Sequence, residues 1–220
     1  MAAAPLPALS LLETRVLGVL VEKQHTVPDS YPLTLNALVA GCNQKSSRHP
    51  VLEAAEAEAQ AALDHLKALS LVVESSGGRV MRYAHNAGRV LGIPPQSVAL
   101  LATLMLRGPQ TAGELRINSE RLHAFSDISA VEAFLEELAS RPAGALVREL
   151  ARQPGARETR WAHLLAGEPP SEHSPAEAHA AVQEPSLGEI AALKANVDRL
   201  EGEVAELREK LARVFRELGL

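Results

Sequence analysis

The side chains of this 220-residue chain with the most chemical potential are cationic, and they fall in clusters. Lys45-Ser46-Ser47-Arg48-His49 lies between two helical patterns, and Arg79 and Arg82 flank a Gly77-Gly78 turn. Arg148, Arg152, Arg157 and Arg160 stand on a second stretch that turns at Pro154-Gly155. Cations on a loop and on hairpins can hold backbone phosphates, which positions a protein on a duplex without reading its sequence. Lys45, Arg48, Arg79, Arg82, Arg152, Arg157 and Arg160 are therefore the candidate nucleic-acid contacts. The alternative for Arg148 and Arg160 is pairing with Glu149 and Glu158, which would merely keep a hairpin soluble. Tyr83 and Trp161, each on a return strand, read as packing residues, with a stacked base as the sharper alternative.

Catalytic chemistry has little to stand on. Cys42 is the single cysteine, and His25 and His49 sit on separate loops without metal-ligand spacing to it. A buried helix cysteine behaves as a small hydrophobe. No enzymatic activity, metal or cofactor is expected. Asn43-Gln44-Lys45 reads as a helix end whose amides and ammonium satisfy the last carbonyls.

The elements that must position these residues follow from periodicity and caps. Ser10-Leu11-Leu12-Glu13 is a capping box opening a helix with Leu12, Val16, Val19 and Leu20 on one face, ending near Gln24. A loop with two prolines leads to a second helix over about Leu35 to Cys42. From Glu53 to Ser70, Ala55, Ala59, Ala62, Leu63, Leu66 and Leu69 recur at helical spacing. Leu71-Val72-Val73 and Arg79 to Tyr83 then read as a hairpin across the two glycines. Ala84 to Pro94 reads as a boundary. The plan repeats: a helix from Pro95 with Val98, Leu101, Ala102 and Met105 inward, a short helix capped by Thr111, and a helix capped by Ser129 and reaching Arg141. Strands at Ala145 to Leu150 and Glu158 to Leu164 close it. Helix, helix, helix, hairpin appears twice, which reads as an internal duplication.

Composition agrees with a mainly helical chain carrying small β-hairpins, an α+β class. Aromatics are 3% of residues, so the core must be built from Leu, Val and Ala. No apolar run approaches the roughly 20 residues of a membrane span, and the first nine residues lack a signal peptide's pattern. One cysteine suits a reducing compartment, and the expectation is a soluble cytoplasmic protein. The net charge of −5 is uneven. Residues 1–88 carry 7 basic and 8 acidic side chains, residues 89–166 carry 9 and 8, and residues 167–220 carry 6 and 11. The acidity belongs to the tail.

That tail holds four prolines between Gly167 and Pro185, a flexible linker by composition. Ile190, Leu193, Val197, Leu200, Val204, Leu207, Leu211 and Val214 then alternate by three and four, a heptad seam. With Ile190 as an a position, Glu189 faces Lys194 and Glu203 faces Arg208 in a parallel partner. The expectation is a homodimer through this helix; the alternative is a helix docked on its own chain.

Several strings carry a family likeness. Glu22-Lys23-Gln24, Tyr31-Pro32-Leu33, Cys42-Asn43-Gln44-Lys45, the run from Leu106 to Arg116, Phe125-Ser126-Asp127 and the run from Arg152 to Glu158 resemble the bacterial YceH-like family of uncharacterised proteins. The resemblance covers residues 9–166 and the tail. It implies a tandem winged-helix fold; the residues themselves set winged-helix domains over 9–88 and 92–166, a linker over 167–185 and a coiled-coil helix over 186–218. It implies no activity and no catalytic residues.

Winged helices commonly place the third helix in the major groove. Here that helix would present Glu53, Glu56, Glu58 and Gln60 in the first repeat and Glu132, Glu136 and Glu137 in the second. Carboxylates facing phosphates oppose the counterion release that drives non-specific affinity. Two functions follow. The first is duplex DNA binding in a regulatory role through the wings and basic loops. The alternative is a protein-interaction module that uses the acidic third helices and a dimerising coiled coil.

Overall fold

A computed structural model describes residues 7–76, 80–153 and 155–169. The 186–218 helix, most of the linker, Arg79 and the Gly77-Gly78 turn lie outside the described residues. Seven α-helices and two antiparallel hairpins are present among the described residues. Helix α1 (Leu11–Thr26) opens on the expected box, with the Ser10 amide donating to Glu13 Oε2 at 2.7 Å and the Glu13 amide to Ser10 Oγ at 3.2 Å. Helix α2 (Leu35–Cys42) is capped by Thr34. Helix α3 (Glu56–Ala68) leads into β1 (Val72–Ser76) and β2 (Met81–His85). Helices α5 (Pro95–Arg107), α6 (Ala112–Asn118) and α7 (Ile128–Ala139) lead into β3 (Val147–Glu149) and β4 (Trp161–His163). Between the repeats, α4 (Ala87–Leu91) occupies the expected boundary. It ends at Gly92, whose φ of 63° suits a residue without a Cβ.

The repeats match in detail. The residue before each second-helix cap forms an isolated bridge to the return strand: Leu33 with Tyr83, and Gln110 with Trp161. Thr34 and Thr111 then cap α2 and α6. The β1–β2 register pairs Glu74 with Tyr83, and the β3–β4 register pairs Glu149 with Trp161. Each three-helix layer is thus latched to its hairpin at one place in the plan.

Two helix starts differ from the sequence reading, and the strands begin one to three residues later than read. Helix α7 begins one residue before Ser129, because Asp127 is the cap and its Oδ1 accepts from the Ala130 amide at 2.8 Å. Helix α3 begins three residues after Glu53. Asn43 holds the Ala54 backbone in extended form by donating to its carbonyl at 2.9 Å and accepting from its amide at 2.8 Å.

Helix α1 is buried on more than the face its stripe suggests, from Thr14 through Val21. Its run Val16-Leu17-Gly18-Val19-Leu20-Val21 carries no polar side chain, and a stretch apolar all round belongs inside. One side meets α2 and α3, and the other meets α5, the equivalent first helix of the second repeat. At the crossing, a Cβ added to Gly18 would lie 3.0 Å from Leu106 Cγ and 3.3 Å from Met105 Cβ, so the glycine permits the approach. Leu and Val side chains of both repeats join in one core.

Candidate functional site

The loop between α2 and α3 carries the first of the candidate cations, and it is not arranged as a phosphate clamp. Arg48 is buried, with a side-chain exposure of 0%. Its Nη1 and Nη2 donate to the two Glu22 carboxylate oxygens at 3.1 and 2.6 Å. Its Nη2 also reaches Gln44 Oε1 at 2.8 Å, and its Nε donates to the Gly41 carbonyl at 3.1 Å. Arg48 is therefore corrected from surface cation to internal fastener. Buried guanidinium groups are kept where a bidentate carboxylate and carbonyls satisfy the fork.

A second guanidinium, absent from the sequence reading, lies beside it. Arg15 of α1 is fully buried and donates to the Cys42 carbonyl at 3.2 Å and the Pro50 carbonyl at 2.7 Å. Arg15 and Arg48 thus satisfy the last carbonyls of α2, where the helix dipole favours cations. The expected cap by the Asn43-Gln44-Lys45 side chains gives way to this pair, since Asn43 faces Ala54 and Lys45 is exposed. Burial would push the Glu22 carboxyl up, but hydrogen bonding and charge from Arg48, with Lys23 added, hold it below its ordinary value. Burial pushes the Cys42 thiol up to about 11, which leaves it an inert thiol at neutral pH. A signal for Arg15 existed in the sequence. It stands three residues after Leu12 and four before Val19, inside the apolar stripe.

The loop also binds the second repeat. The His49 amide donates to the Leu106 carbonyl at 2.8 Å, and Arg107 Nη2 donates to Ser47 Oγ at 2.8 Å.

On the first hairpin, Arg82 is half-buried and donates to the Pro32 carbonyl at 2.8 Å, which ties it to the loop before α2. Lys67 of α3 bridges Asp64 at 3.0 Å and Glu74 at 2.6 Å. On the second hairpin, Arg148 pairs with Glu168 and not with Glu149. Arg152, Arg157 and Arg160 are exposed. The structure brings Arg152 and Arg157 together but leaves Lys45 on a different loop.

Arg152 and Arg157 line a groove of about 420 Å³ between α7 and the β3–β4 connection. Its other charged groups are Glu132 and Glu136 on α7 and Glu149 and Glu158 on the hairpin. Ala112, Ile128 and Trp161 supply apolar surface, and Ile128 is 45% exposed. The hairpin wall carries two arginines and two glutamates and is neutral on formal count. The α7 wall carries two glutamates, so the groove is net −2.

The first repeat shows what this face looks like when satisfied internally. Counting from the caps Ala55 and Asp127, Gln60 and Asp64 correspond to Glu132 and Glu136, and Lys67 corresponds to Ala139. In the first repeat Gln60 donates to Asp64 at 3.0 Å, Tyr83 donates to Gln60 at 3.3 Å, and Lys67 neutralises Asp64 and Glu74. In the second, a glutamate replaces Gln60 and an alanine replaces the lysine. No ion pair among the described residues engages Glu132 or Glu136. Like charges four residues apart on a helix repel, at a cost of a few tenths of a kcal/mol. The second face keeps charges that the fold does not use.

A family model described as a protein of unknown function, DUF480, matches residues 9–156, most of the described fold. The chain belongs to this DUF480 family. A UPF0502 protein of Dechloromonas aromatica (strain RCB) is 62% identical over 213 residues, covering 96% of this chain and 98% of that protein. UPF0502 proteins of Burkholderia orbicola (strain MC0-3) and Paraburkholderia xenovorans (strain LB400) are 58% and 59% identical, covering 90% and 89% of their own lengths. The expectation of an uncharacterised bacterial family is met. Within this family's fold, among the described residues, no group of three or more His, Cys, Asp or Glu side chains could hold a metal ion. No described helix is long and apolar enough to cross a membrane.

Proposed function

We propose that this DUF480 protein is a tandem winged-helix protein-docking module, dimerised through residues 186–218, and that it recruits protein partners in place of reading DNA. The single observation that carries the reading is the charge of the third helices. Glu56, Glu58, Glu132, Glu136 and Glu137 are exposed on α3 and α7, where a duplex-reading winged helix would present cations to phosphates. The fate of the candidate cations adds support. Arg48 and Arg82 are committed to internal partners, and Arg148 pairs with Glu168. The likeness to YceH-like proteins and the repeated helix–helix–helix–hairpin plan support the winged-helix description.

The nucleic-acid reading retains one observation, the exposure of Lys45, Arg152, Arg157 and Arg160. Mobility shifts of the full chain with a random-sequence duplex, at about 50 mM salt and upward, separate the two functions. The docking module gives no shift. It also captures cytoplasmic partners by cross-linking, and those are lost when Glu56→Lys and Glu137→Lys reverse the helix charge. A shift that weakens steeply with salt and is lost in Arg157→Ala/Arg160→Ala would establish DNA binding instead. Light scattering on the full chain and on a chain ending at Pro169 tests the dimer: the full chain should run as a dimer and the shorter one as a monomer.

A further inference from the structure

We infer that the groove between α7 and the β3–β4 connection binds an extended peptide segment carrying two basic side chains two residues apart. This deepens the docking-module reading and rests on it. Charge complementarity selects the occupant. The hairpin wall balances Arg152 and Arg157 against Glu149 and Glu158, so the uncompensated charge is that of Glu132 and Glu136. These two stand four residues apart on one helix face, roughly 5–6 Å between Cβ atoms. In an extended chain, side chains two residues apart lie on one face, separated by about 6.6 Å. Two arginine or lysine side chains at that spacing meet the two carboxylates together. Their aliphatic stems cover Ile128 and the edge of Trp161, which a purely polar ligand would leave wet.

The first repeat is the internal control. There Lys67 holds Asp64 and Glu74, and Tyr83 holds Gln60, so the equivalent face already contains its own cation. The second repeat has Ala139 where that lysine would stand and an open groove where the network would run. A basic ligand supplies what Lys67 supplies next door. Trp161 is fixed in place by its backbone, with its amide donating to the Gln110 carbonyl at 2.7 Å.

Trp161 is the chain's single tryptophan and lines the groove, so the emission comes from a residue of the site's own wall. The full chain is titrated with a blocked peptide containing Arg-Ser-Arg and, separately, with the same peptide containing Glu-Ser-Glu. The arginine peptide should give a saturable emission change that weakens with salt, and the glutamate peptide none. Glu132→Gln/Glu136→Gln removes two exposed charges without touching the core and should weaken the arginine peptide about tenfold. An unchanged emission up to millimolar arginine peptide overturns the proposal, as does equal affinity in the double variant. If the titration fails while Glu56→Lys/Glu137→Lys still abolishes partner capture, the groove assignment alone falls. A duplex shift by the unmodified chain removes the docking module itself.

Discussion

Replacing Arg48 by Met should destabilise the protein as the loss of a buried ion pair does, although its sequence neighbours suggest a surface loop. The substitution removes the two donors to Glu22, the contact to Gln44 and the cap on the Gly41 carbonyl. Breaking a buried pair from one side costs about 3–5 kcal/mol, because the surviving charge stays buried without its partner. Here Lys23, 3.2 Å from the Glu22 carboxylate, softens the loss toward the lower end. For a protein of this size 1 kcal/mol shifts Tm by about 2–4 °C, so a fall of roughly 10 °C is expected. Glu22→Gln should cost at least as much, since it leaves the buried Arg48 without its carboxylate beside the equally buried, like-charged Arg15. Thermal and urea melts followed by circular dichroism measure both variants, and the double variant gives the coupling. A Tm change within about 2 °C for Arg48→Met would refute the account, as would a Glu22→Gln variant clearly milder than Arg48→Met.

Gly41→Ala should destabilise despite the roughly 1 kcal/mol that alanine gains in a helix interior, because the new Cβ would lie 2.6 Å from Cγ1 of the fully buried Val19. A net loss of about 1–2 kcal/mol in urea melts is expected, and a stabilised variant would contradict the packing. Stability should also fall in mild acid. Burial lowers His163 to about 4 and, with the charge of His25 added, lowers His85 to about 4. The unfolded chain protonates these groups first, near 6.5, so stability held above that pH is lost between about 6.5 and 4. Melts at pH 7.5 and 5.5 should differ, and His85→Gln/His163→Gln should narrow the difference. Glu22, whose folded pKa is depressed, adds a separate loss below about 4.5.

Local signals were legible in the sequence and long-range ones were not. The limits of α2, read from the apolar spacing of Leu35 to Cys42, match the structure. The start of α3 depends on Asn43 gripping Ala54 from eleven residues away, which no local pattern shows. At α7 two caps competed within three residues, and Asp127 reaches the Ala130 amide. The charged loop misled for a related reason. Lys45 is exposed as expected, while Arg48, three residues on, turns inward to a glutamate 26 residues earlier. The acidic third helices were visible from composition alone. What separates the second from the first is a glutamate in place of Gln60 and an alanine in place of Lys67, and that emerges only when the repeats are aligned on their caps.

Relatives that recombine within this family inherit constraints from the α1–α5 crossing. A Cβ at position 18 would press on Leu106 and Met105, and the His49 amide is spent on the Leu106 carbonyl. A crossover near Gly92 would marry one lineage's first helix to another's fifth, and any mismatch would fall in the middle of the core. Crossovers before Leu9 or beyond Pro169 leave that seam whole. The two copies of one plan share a single core and behave as one structural part, so a protein engineer must graft them together.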